Sequence, residues 1–124
     1  METRVSVKEL SESGVSRARG NIAFRTLQGY LSSELVELDF SDEDLISLSF
    51  LDEMVLRLME SKQLQKVVFF ATDPLIQQKL AQVASVRNAT IFFRSDKGQP
   101  RQVIQPKPTP SISLKSARGS IPGT

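Results

Sequence analysis

The chain has 124 residues, 40% hydrophobic and 24% charged, which fits one domain with a core large enough to stand without cross-links. It holds neither cysteine nor histidine, which excludes a disulfide framework, a thiolate or imidazole metal site, a cysteine nucleophile and a Ser-His-Asp triad. The net charge of +2 is split unevenly, with five basic residues against one acidic in 96–124 and 11 against 13 in 1–95.

Met1-Glu2-Thr3-Arg4 carries a charge pair and no apolar run, so no signal peptide is expected. No stretch approaches the ~18 consecutive apolar residues of a membrane helix. A cytoplasmic location is the resulting expectation.

Residues 5–10 read as a first strand, with Val5 and Val7 alternating against Ser6 and Lys8. Residues 11–14 form a turn, and Ser16 caps a helix running to about Leu31. Ala18, Ile22, Ala23, Leu27, Tyr30 and Leu31 fall on roughly one face of it. Gly20 and Gly29 count against helix there, because glycine loses the most backbone freedom on ordering. Residues 35–40, Leu-Val-Glu-Leu-Asp-Phe, read as the second strand. An acidic loop of Ser41, Asp42, Glu43 and Asp44 follows, then a short extended piece at Leu45 and Ile46. A second helix begins near Ser49 or Phe50 and ends near Ser61, with Phe50, Met54, Val55, Leu58 and Met59 as its apolar stripe.

Residues 67–71 are a continuous apolar run, the pattern of a central strand covered on both faces. Asp73-Pro74 is a helix start, with Asp at the cap and Pro at the first helical position. Residues 89–93 are the last strand. The order β-α-β-α-β-α-β predicts an α/β domain over residues 1–95, with helices packed on a largely parallel or mixed four-stranded sheet. Five of the six prolines fall in residues 96–124, amid glycine, serine and threonine. That composition predicts a disordered tail, extended around the Pro-Lys-Pro-Thr-Pro run.

Three patches resemble the STAS-like family, small relatives of the anti-sigma-factor antagonist domain. Ser16-Arg17-Ala18 is similar to the family's Ser-Arg-x-Ala helix opening. Residues 36–40, Val-Glu-Leu-Asp-Phe, are similar to its apolar strand ending in Asp-Phe. Residues 46–53, Ile-Ser-Leu-Ser-Phe-Leu-Asp-Glu, are similar to its Ile-x-x-Ser/Ala-Phe-x-Asp-Glu run. The resemblance spans about Val5 to Arg94. It implies an α/β regulatory domain that docks to a kinase-like ATPase or anti-sigma partner. In the antagonist domains a serine at the corresponding helix start is a phosphorylation switch. Ser49 falls at that serine and Ser47 near the motif's aspartate, while Phe50 stands where the motif has glycine.

Each candidate residue has two readings. Ser49 and Ser47 are either a phosphoswitch, since a phosphate at a helix start meets unpaired amides, or simply a helix cap. Asp39, at the carboxyl end of a strand, either shapes a docking surface with Ser49 and Asp52 or fixes its loop. Asp52 and Glu53 point about 100° apart on a helix and do not converge on one substrate atom. One of them is expected to face a partner or pair with Arg17, the other to be solvated. Arg17 opposes its own helix dipole and is expected to pair with Asp39 or Asp52. The acids at 42–44 lack the spacing and glycine of a calcium loop, and neither a metal nor a cofactor is expected.

The sequence therefore points to a non-enzymatic docking module. A constitutive scaffold without a switch stands beside it. A weak nucleic-acid binder using the basic tail is a further alternative, although the tail has no interleaved aromatic rings. An enzyme comes last, in the absence of histidine, cysteine and a glycine-rich phosphate loop.

Overall fold

A computed structural model describes residues 3–31, 35–43, 45–96, 98 and 100–106. Its first strand is β1 (Thr3–Ser6), followed at once by a helical turn, α1 (Val7–Leu10). The strand is shorter than the alternation implied because Ser6 and Glu9 form a reciprocal capping box that starts the turn at Val7. Helix α2 (Arg17–Leu27) is capped by the Ser16 hydroxyl, which accepts from the Arg19 N–H, and it runs on into a tighter turn at Gln28–Tyr30. Strand β2 (Val36–Asp39), helix α3 (Leu48–Glu60), strand β3 (Val67–Phe70), helix α4 (Pro74–Arg87) and strand β4 (Ile91–Arg94) follow. The Asp73 carboxylate accepts from the Leu75 N–H, and Pro74 occupies the first turn, as the sequence predicts.

A fifth strand, β5 (Gln102–Ile104), lies within the segment expected to be disordered, so the sheet has five strands rather than four. Pairing with β4 draws this piece into order: Ile104 sits opposite Ile91 and packs against the core. Residues 107–124, the remainder of that segment, lie outside the described residues.

The strand order is β1-β2-β3-β4-β5, parallel from β1 to β4 and antiparallel at β5. Each crossover moves one strand in the same direction. Right-handed connections then place α2, α3 and α4 on one side of the sheet. The core agrees with that geometry. Val5, Val36, Leu38, Val67, Phe69 and Ile91 share one cluster with Ala23, Leu27, Leu51, Met54, Leu58 and Leu80. Phe69 stacks on Phe40 with ring centroids 5.9 Å apart. Each such side chain contributes roughly 1.5–3 kcal/mol on burial.

The buried face of α2 is Gly20, Ala23, Phe24 and Leu27; Ile22 and Tyr30 are exposed. Ala18 is exposed as well, and Phe24 is on the buried face in their place. A β-carbon on Gly20 would stand 2.7 Å from the Phe50 carbonyl oxygen and 3.0 Å from the Glu53 β-carbon.

The apolar run in β3 is buried on both faces, but among the described residues helices cover only one. On the other face, register sets Arg4, Glu37, Val68, Phe92 and Val103 in one row and Ser6, Asp39, Phe70 and Arg94 in the next. Long charged side chains supply the second cover. Glu37 accepts from Arg4 Nη1 at 2.5 Å and from Arg94 Nη1 at 2.6 Å, the latter bond crossing β3. Arg4 lies over the Phe70 ring at 4.6 Å.

Candidate functional site

The run from β2 into α3 carries most of the residues singled out in the sequence. Ser47, not Ser49, is the cap of α3: its hydroxyl accepts from the Phe50 N–H at 3.0 Å. The cap falls two residues early because the Ser47 N–H donates to the Gly14 carbonyl, fixing the entry beside the Gly14–Ile46 bridge. Ser49 therefore stands exposed inside the first turn, its side chain not used as a cap.

One turn further on, Asp52 and Glu53 are both buried, at 9% and 4% exposure. The expectation that one of them is solvated fails. Arginines from α2, α3 and α4, namely Arg17, Arg57 and Arg87, meet the two carboxylates instead. Asp52 takes a two-point contact from Arg87 Nε and Nη2, both at 2.7 Å, and a third contact from Arg17 Nη1 at 2.9 Å. Glu53 accepts from Arg57 Nε at 2.8 Å and from Arg17 and Asn21 at 3.2 Å each. Arg17 thus bridges the two acids, which takes the expected pairing with Asp52 one residue further.

These contacts set the charge states. The Arg87 guanidinium is the main reason that the Asp52 carboxyl lies below its usual range, against the opposing effect of burial. For Glu53 burial is the largest influence and pushes its carboxyl up, but hydrogen bonds from Arg57, Asn21 and Arg17 together outweigh it and leave the value lowered. Both acids stay ionised near neutral pH and act as acceptors only, so neither exchanges a proton there.

Asp39 does not join this group. It accepts from Arg4 Nε and Nη2 at 3.1 and 3.0 Å, and from the Ser41 N–H and hydroxyl at 2.8 and 2.6 Å. That is the loop-fixing role, and it also rules out the expected pairing of Arg17 with Asp39. Asp44, the third acid of the loop, lies outside the described residues.

Arg17, Ser49 and Asp52 line one cleft of about 150 Å³ with Leu48, Val83 and Val86. Leu48 is 36% exposed and Val86 70%, so the rim offers apolar side chains to solvent. The floor is fixed by the arginine–aspartate lock. Arg87, Arg57 and Asn21 were not singled out in the sequence. Arg57 was findable, as it stands four residues after Glu53, a helical pair spacing. Arg87 gave only the weak signal of a cation in the last turn of a helix.

Compared with protein-family models, with curated proteins and with solved structures, the chain matches none. No helix among the described residues is long and apolar enough to cross a membrane.

Proposed function

We propose that this chain is a non-enzymatic regulatory module that docks to a partner protein through the cleft at the start of α3. The observation that carries the reading is the position of Ser49. It is exposed on the first turn of α3, at the rim of a cleft bounded by exposed Leu48 and Val86 over a rigid charged floor. A rigid floor with an apolar rim holds a partner's side chain at low ordering cost. The resemblance to STAS-like domains makes the partner a kinase-like ATPase or anti-sigma factor, and a chain without cysteine suits the cytoplasm.

Ser49 is the residue of the pair that is open to a kinase, because the Ser47 hydroxyl is occupied as a cap. A phosphate on Ser49 adds about −1.5 to −2 charges beside Arg17 and the helix-start amides. Incubation with an ATPase-type kinase and ATP, followed by mass spectrometry, tests this assignment. Phosphate on Ser49 supports the switch; its absence from both serines leaves a docking module without one. The same division appears in binding. Ser49→Asp weakens the partner complex if the switch operates, and leaves it unchanged if the domain is a constitutive scaffold.

A further inference from the structure

We propose that the face of the sheet opposite the described helices binds single-stranded nucleic acid. The face is on the opposite side of the sheet from the helices that form the docking cleft, and it does not depend on the cleft's role. Its charges are layered. Glu37 and Asp39 are the inner groups, their side chains 8% and 13% exposed, whereas the Arg4 side chain is 41% exposed and Arg94 21%. Arg101 is exposed as well and lies over the Phe92 ring at 4.2 Å. Solvent therefore meets guanidinium groups first, and the carboxylates that hold two of them in place lie beneath.

Two of these guanidinium groups, on Arg4 and Arg101, lie over the rings of Phe70 and Phe92. A guanidinium backed by a ring is a flat cationic plate, and unpaired bases stack on such plates while their phosphates meet the charge. Phe70 and Phe92 sit on adjacent strands and the same face, two residues apart in register, so both plates rest on neighbouring positions of one face. A second copy of this chain is a poor occupant, because two such faces would bring arginine against arginine. The chain also continues past β5, the strand beside Phe92, with Lys107, Lys115 and Arg118 and no further acid. Tail and face thus add charge of one sign.

The test uses the full chain and a fluorescein-labelled oligouridine, followed by fluorescence anisotropy across a salt series. Binding should weaken with salt with a slope of about 0.7 per phosphate contacted. Arg101→Lys keeps the charge and removes the plate, and should weaken binding on the order of tenfold with the slope held. Phe92→Leu should do the same by removing the ring beneath. Arg101 is exposed, so circular dichroism and the melting temperature should not move with its substitution. Four results overturn the proposal: no binding at low salt; affinities unmoved by both variants; displacement by polyglutamate as effective as by unlabelled oligouridine; or binding that vanishes with residues 107–124 while the face variants have no effect.

Discussion

At the scale of single residues, the two serines at the start of α3 separate capping from exposure. Ser47→Ala removes the acceptor for the Phe50 N–H and should lower unfolding stability by about 1 kcal/mol. Ser49→Ala removes only an exposed hydroxyl and should stay within about 0.5 kcal/mol. Urea titrations of both variants check the pair, and equal losses would count against the cap assignment. Asp52 is a more sensitive position. Asp52→Asn keeps the shape but discards the charge that Arg87 and Arg17 address, and should destabilise by roughly 1–3 kcal/mol, the lower half being expected because both arginines are partly exposed.

Acid should act through the same residues. Asp52 and Glu53 have folded values below their unfolded ones, so their stabilisation is present above the unfolded range and is lost as pH falls through the folded values. The urea midpoint should be flat above about pH 5 and fall below about pH 4. Asp52→Asn should show a shallower fall, since one of the contributing carboxyls, which include Glu53 and Asp39, is gone. An unchanged pH profile in that variant would show that the acid sensitivity arises elsewhere.

At the scale of elements, the contact between α2 and α3 turns on Gly20. A β-carbon there meets backbone at 2.7 Å, and backbone does not swing aside as a side chain does. Gly20→Ala improves helix propensity but should still cost about 1–3 kcal/mol through overpacking, read as a lower melting temperature. The fifth strand offers a test of where the domain ends. A chain stopped after Ser95 loses β5 and uncovers the β4 edge together with its Ile91–Ile104 contact. It should be less stable by about 1–2 kcal/mol than a chain stopped after Pro106, a difference that thermal melts of the two would reveal.

The same elements show what the sequence makes legible. Asp73-Pro74 and the apolar stripe of α3 marked their helices because caps and periodicity are local signals. Of the two readings of Ser49 the cap falls to Ser47 instead, because the entry to α3 is set by a hydrogen bond from Ser47 to Gly14, 33 positions away. Of the two partners expected for Arg17, Asp52 is the one it meets and Asp39 is not, while the burial of Glu53 is not legible because it depends on how far Gly20 lets two helices approach. β5 was hidden for a related reason. Gln102, Val103 and Ile104 are flanked by proline and glycine, and only pairing with β4 gives them an ordered state.

At the scale of the whole molecule, the described helices lie on one side of the sheet, which is unusual for parallel strands, normally covered on both. Here Arg4, Glu37 and Arg94 stand in for the missing layer and bury Val68 and Phe70 with aliphatic stems and paired charge. Glu37→Leu is the informative substitution. It keeps the burial but removes the acceptor that Arg4 and Arg94 share, leaving Arg4 held by Asp39 alone, so the melting temperature should fall despite the gain in hydrophobicity. A rise in melting temperature would show that the ion pairs matter less than the packing beneath them.

The spatial order of the strands repeats their order along the chain, and that arrangement bears on how the protein is made. Each strand leaving a ribosome finds its neighbour already present, so the sheet can grow one unit at a time from the amino end without waiting for a distant segment. Of the described strands β5 arrives last and alone runs antiparallel, covering the β4 edge that would otherwise be open to other nascent chains.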